Sequence, residues 1–350
     1  MSSRIISQKK LTSFIRLRIF YSTLLAMVLT ASALQAKEVD QFTDRSVVRA
    51  RLLDSGEMID QKINEILASA LIRLNLRPPL GRPERIALVA EQFQDPVLPR
   101  YRNLIEEWIF DEGMIPQYRV RYRGIYGGSV NYDNMGMGWY VGLSPIIRVH
   151  GVFMGADKIG HFFAQGWEYE EKALELGLGR PVYPREVVPQ DAPIGRAIRA
   201  LGHQTEQEVL GQVGIGVYSF ADLAANWQGF RFYEKLFDGE RPYFVRNAHG
   251  VFELKRRFSF REYVSEDWDE TLNPSQLVDH LFWLKVRENF RTPNRAGKSI
   301  CSDYRAEPSL FELRPKPETQ TFWREYHFYT MDEYNSLPNM LRIRDLCSGN

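Results

Sequence analysis

Asp157 and His161 stand four residues apart in GADKIGHFFAQGWEYE, and Asp222 and Asn226 stand four apart in SFADLAANWQG. On a helix each pair shares a face. A histidine beside a carboxylate can hold or release a proton near neutral pH, with its affinity set by that neighbour. The same groups on facing helices of a bundle can also hold a metal ion. Asp157, His161, Asp222 and Asn226 are therefore the candidate catalytic residues, and Asp157, His161 and Asp222 the metal-ligating set if there is one. Gln165 and Glu168 continue the first stripe, and Lys158 and Ser219 adjoin the two motifs. Glu208 and Gln212 form a similar pair upstream. Lys158, Gln165, Ser219 and Glu208 are the candidate binding residues.

Structural roles fit the same spacing. Asp157 at a helix start would meet free N–H groups and the positive end of the helix dipole. Ser219 and Asp222 make an S-x-x-D pattern close to a capping box. Asn226 and His161 could be buried, satisfied polar groups. One histidine and two acids without an H-E-x-x-H pair are a thin basis for zinc, so the sequence requires no cofactor. Other motifs rank lower. Asn131, Asp133 and Asn134 in NYDNMGMG read as a turn, because a calcium loop needs more acids at fixed positions. SEDWDETLNPS, with Glu266, Asp267, Asp269 and Glu270, reads as a solvated acidic loop. Ser144 and Ser219 lack a G-x-S-x-G context. His203 and His249 have no neighbouring partner in the sequence and read as surface residues.

Helices must position the two motifs. Ile59, Ile63, Ile66, Leu67, Ala70 and Leu71 recur at helical spacing and are followed by RPPLGRP, which stops the helix. RYRNLIEEWIFD reads as a second helix. Tyr118–Gly151 is rich in glycine and aromatics and reads as short strands or an ordered glycine-rich loop. The helical pattern returns at Gly155 and runs to Gly177 or Gly179. A loop, RPVYPREVVPQDAP, leads to a helix through EQEVLGQVGIGVYS and another from Ser219 to Gly239. The last hundred residues read as a tail wrapping the core with one or two short helices. The fold class expected is mainly α: a helical bundle core, a Gly/aromatic-rich segment and a long irregular C-terminal extension. Within one mature domain, 37–350, the divisions are 37–117, 118–154, 155–240 and 241–350.

The chain has 350 residues, 44% hydrophobic and 13% aromatic, with a formal net charge of +1. That is enough for a large core, and it gives no global field for nucleic acid. Lys9, Lys10, Arg16 and Arg18 precede an uncharged run, Ile19–Ala36, that ends in small residues. This is the pattern of a secretory signal peptide over 1–36, cut after Ala33 or Ala36. An uncleaved anchor helix is the alternative. Export predicts a periplasmic location, and an oxidising compartment favours pairing of Cys301 with Cys347.

DKIGHF, followed about sixty residues later by SFADLAANWQG, resembles the signature of the VanZ-like group, which includes small envelope lipoproteins of the YfiM type. The pattern is D-K-x-x-H-F, an acid on a following helix, then D-x-x-x-N/D-x-x-G. Asp157, Lys158, His161 and Phe162 match its first part, Glu208 its middle acid, and Asp222, Asn226 and Gly229 its last. The resemblance covers Gly155–Gly229 and implies that these residues act together in the cell envelope. VanZ-like proteins are usually polytopic, whereas this chain carries long polar extensions and a negative mean hydropathy. The function expected is an exported envelope protein that binds or organises a lipid, a cell-wall component or another envelope protein, with peripheral membrane association. The alternative is a metal- or acid/base-dependent hydrolase or transferase acting on an envelope lipid or cell-wall substrate.

Overall fold

The computed structural model describes residues 39–96, 103–111, 113, 115–119, 143–176, 193–207, 216–293, 297–312 and 331–348. Residues 1–36, read as a signal peptide, the NYDNMGMG stretch, read as a turn, and Glu208 and Gln212 lie outside these residues.

Arg45–Arg51 forms α1, and Gly56–Leu76 forms α2, whose buried Ile59, Ile63, Leu67, Ala70 and Leu74 make one apolar stripe. Arg82–Ala90 (α3) begins with Pro83 in its first turn, where a missing N–H costs nothing. Leu104–Phe110 (α4) starts at Asn103, whose side chain accepts from the N–H groups of Ile105 and Glu106.

Ile146–Val149 (β1) and Val152–Gly155 (β2) form an antiparallel hairpin with Val149 opposite Val152. His150 and Gly151 make its two-residue turn, both at positive φ, as that tight connection requires. The Gly/aromatic-rich region therefore ends in strands. The hairpin delivers the chain into Asp157–Glu175 (α5).

Pro193–Gln207 (α6) begins earlier than the sequence pattern suggests. Val217–Tyr218 (β3) is a strand paired with Gln276–Leu277 (β6), not the end of a helix. Its β-branched and aromatic residues suit an extended, buried chain paired along one edge. Phe220–Glu234 (α7) follows, apolar on almost every side and buried along nearly its whole length, as expected of a central helix. Phe244–Arg246 (β4) and Phe252–Leu254 (β5) form a third small antiparallel pair.

Among the described residues after β5, the C-terminal extension carries more than the one or two short helices expected. His280–Arg291 (α8), Ile300–Ala306 (α9), Met331–Ser336 (α10) and Ile343–Cys347 (α11) are all helical. Phe42, Val217, Leu277, Phe290, Cys301 and Leu346 belong to their own apolar cluster, closed by the Cys301–Cys347 disulfide. The architecture is mainly α, and residues 36–350 form one compact unit. No helix among the described residues is long and apolar enough to cross a membrane.

The main core centres on α5 and α7. Phe162 and Phe163 meet edge to face at 4.8 Å, and Phe163 stacks on Phe93 at 4.2 Å. The two helices touch through backbone: a Cβ on Gly166 would lie 2.6 Å from the Gly229 Cα, and one on Gly229 would collide with the Phe162 carbonyl oxygen. Only glycine permits that approach. This crossing brings the two sequence motifs face to face.

Candidate functional site: a lysine-centred polar cluster

Asp157 is the first residue of α5, and its carboxylate does not cap the helix. Ser144 does that work from outside, its Oγ accepting from the Asp157 N–H at 2.9 Å. The carboxylate turns instead to the next side chain. Lys158 Nζ lies 2.7 Å from Asp157 Oδ2, 2.5 Å from Asp222 Oδ1 and 2.5 Å from Glu270 Oε1. The lysine is 0% exposed. Its ammonium is the positive centre of three carboxyl groups contributed by α5, α7 and the loop before β6.

His161, one turn along α5, closes the other side of Asp222. Its Nε2 is 3.0 Å from Asp222 Oδ2, and its Nδ1 is 3.1 Å from the Asn226 side-chain amide. With Asn226 Oδ1 toward the ring, Asn226 Nδ2 donates to the Tyr169 hydroxyl at 3.3 Å. With the amide turned, Nδ2 donates to Nδ1 and to the backbone carbonyls of His161 and Asp222. The first orientation suits a ring protonated on both nitrogens, and the second a neutral ring whose proton faces Asp222. Either way, both ring nitrogens are engaged inside the protein. At 13% exposure, His161 is nevertheless the member of this group nearest to solvent.

Ser219 joins the cluster to its surroundings. As the residue capping α7, its Oγ accepts from the Asp222 N–H at 3.2 Å and donates to Glu270 Oε1 at 3.2 Å. Its own N–H donates to Glu206 Oε2 at 3.1 Å. The capping reading of S-x-x-D is thus half right. Ser219 caps the helix, but Asp222 faces Lys158 and His161, and Glu206 takes the N–H that a capping-box acid would have taken.

These contacts set the charges. Burial alone would lower the proton affinity of His161, but the Asp222 carboxylate more than offsets it and pushes the ring up to about 9. Burial opposes ionisation of Asp222, yet His161 and Lys158 hold it well below the usual carboxylate range. Burial raises Glu206 to about 8, reinforced by the Asp222 charge and reduced by His161. Burial raises Glu270 to about 8 as well, with Lys158 pulling the other way. Asp222 and His161 thus form an ion pair at neutral pH, beside two carboxyl groups that keep their protons up to mildly alkaline pH.

Asp157, Lys158, His161, Ser219, Asp222 and Asn226 are all brought together, while Gln165 is buried one turn beyond His161. Glu206, on α6, stands near the cluster from the same chain region as the expected Glu208. Glu270 comes from the stretch read as a solvated acidic loop, and that reading is overturned. Asp267, Asp269 and Glu270 are buried, and Asp269 pairs with Arg45 at 2.5 Å. A run of acids resembles a solvated loop because sequence alone does not show the distant cations that neutralise it. The available signal was Trp268 in the middle of the run, a side chain that calls for burial. His203 is not an isolated surface residue either, since its Nδ1 lies 2.8 Å from the Tyr218 hydroxyl.

One ligand atom each from Asp157, His161 and Asp222 lie within 4.8 Å of one another, a spacing that suits a metal ion. An ion there would compete with the Lys158 ammonium for Asp157 and Asp222 and with Asp222 and Asn226 for the ring. Comparison with protein-family models, curated proteins and solved structures finds no match to this chain.

Proposed function

We propose that this chain is an exported bacterial envelope protein that binds or organises a lipid, a cell-wall component or another envelope protein. In this reading the polar cluster is a buried ionic lock between α5 and α7. The observation that carries the lock is Lys158: the protein's own ammonium already supplies the cation for three carboxyl groups, and both nitrogens of His161 already have protein partners. Buried ion networks of this kind add little net stability over an apolar core, and in this reading the network's role is to fix the register of α5 against α7. Export is supported by the basic, apolar and small-residue pattern of the first 36 residues and by the closed Cys301–Cys347 pair. The likeness of DKIGHF and SFADLAANWQG to the VanZ-like pattern points to the same compartment.

A second reading is a metal- or acid/base-dependent hydrolase or transferase on an envelope substrate, using Asp157, His161, Asp222 and Asn226. The close approach of three ligand atoms and the partial exposure of His161 favour it. Elemental analysis of protein purified after export separates the two. Metal-free wild type, with His161→Ala lowering the melting temperature, supports the lock. Stoichiometric metal that His161→Ala removes overturns it. Fractionation and the mass of the exported chain test the location and cleavage separately.

A further inference from the structure

A second feature lies away from the cluster, where the end of α2 meets the β4–β5 hairpin. Ile72 and Leu76, one turn apart on α2, are 62% and 79% exposed. Asn75 stands between them and fastens the hairpin. Its Nδ2 donates to the Phe252 carbonyl at 3.0 Å, and its Oδ1 accepts from the Phe252 N–H at 2.8 Å. That two-way pairing holds Val251, 45% exposed, beside the helix end.

Positive charge collects on the same edge. The guanidiniums of Arg85 and Arg246 lie 5.6 and 4.8 Å from the centre of the Phe252 ring. Arg85 Nε is buried without a hydrogen-bond partner. Arg73 on the last turn of α2 and Arg77, the residue just past its end, are exposed. The nearby acids are fewer or already engaged. Asp238 pairs with Arg82, Glu253 pairs with Lys255, and Glu84 and Glu240 remain exposed.

Exposed aliphatic side chains set among arginines match the boundary between lipid headgroups and acyl chains. Guanidinium groups bind phosphate in a fork, and their stems tolerate an apolar boundary. We propose that this edge docks on an anionic phospholipid surface. Ile72, Leu76 and Val251 enter the acyl boundary, while Arg85 and Arg246 meet lipid phosphates. The proposal deepens the envelope-lipid reading. It is tested on purified protein, so its failure is distinguishable from a failure of export.

The test is flotation of the purified exported protein with vesicles of phosphatidylcholine alone and with one-third phosphatidylglycerol. Binding is expected to the anionic vesicles, weakening with added salt. Arg85→Gln and Arg246→Gln should each lower the partition coefficient about fivefold. Leu76→Asp should abolish binding. Leu76 is mostly exposed, so its melting temperature should stay at the wild-type value. Leu281→Asp, at an exposed apolar position on α8, should leave binding intact. Equal binding to both vesicle types, wild-type binding by Leu76→Asp, or displacement by millimolar inorganic phosphate would each overturn the proposal. So would absence of vesicle binding with capture of an acidic protein through the same arginines.

Discussion

Replacing Lys158 with methionine removes the positive centre of the cluster while keeping a side chain of similar length. Removing one partner of a buried ion pair costs about 3–5 kcal/mol, because the remaining charge is left uncompensated. Here three carboxyl groups lie within 2.7 Å of the ammonium. The loss should still stay near that range rather than triple it. Glu270, raised to about 8, already holds its proton at neutral pH and leaves no bare charge behind. Asp222 keeps His161 as its counter-ion. The compact unit of about 315 residues has an unfolding entropy of roughly 0.7 kcal/mol/K. The expected fall in melting temperature is therefore about 4–7 °C. The pH dependence is the sharper readout. Without the lysine Asp222 and Glu270 bind protons more tightly, so the variant's penalty should be largest near pH 8 and roughly halve near pH 5. Calorimetry of wild type and Lys158→Met at both pH values measures it. Glu270→Gln in the same background should recover part of the loss, with a coupling of about 0.5–3 kcal/mol. A variant that melts within about 1 °C of wild type at both pH values would refute the ammonium as the centre of the lock. So would a penalty that grows toward acid.

His161, pushed up to about 9, stabilises the fold fully below its unfolded value of 6.5, and that contribution fades as pH rises through 9. Glu206 and Glu270, raised to about 8, lose stability over the interval from 4.5 to about 8. Wild-type melting temperature should therefore fall from mildly acid to alkaline pH, and His161→Gln should flatten the part above 6.5 in the same calorimetric series. Gly229→Ala pushes a methyl group into the Phe162 carbonyl and should destabilise by about 1–3 kcal/mol in urea unfolding, whereas alanine at the exposed Gly250 acts through its positive φ alone. Replacing Cys301 and Cys347 with serine opens a 46-residue separation and should lose up to about 4 kcal/mol, with exchange protection lost first in α8, α9 and α11.

Helix α5 was legible because Ile159, Phe162, Phe163 and Trp167 recur at helical spacing. The start of α7 was legible because Ser219 is a capping residue before an apolar run. The glycines at 166 and 229 gave no comparable signal. Their meaning is a distance between two helices, and no local pattern records it. Asn226 was readable as a polar residue facing inward, but its partner Tyr169 belongs to the other helix. The β3 strand was misread because Val217 and Tyr218 follow a helical stretch and pair with Gln276–Leu277, about sixty residues later.

The sequence by itself determined the mainly helical class, the two polar motifs and the pairs that share a helix face, because these depend on local periodicity and capping. It also supplied Lys158 and the two cysteines as residue types of consequence. Only the tertiary structure decided that Lys158 is the hub, that Glu270 and Glu206 belong beside it, and that an acidic run lies inside the protein. A buried charge is tolerated only where opposite charge meets it, and here that charge comes from residues 112 positions away for Lys158 and Glu270 and 224 for Arg45 and Asp269. Such pairing is a property of packing, and periodicity carries no record of it.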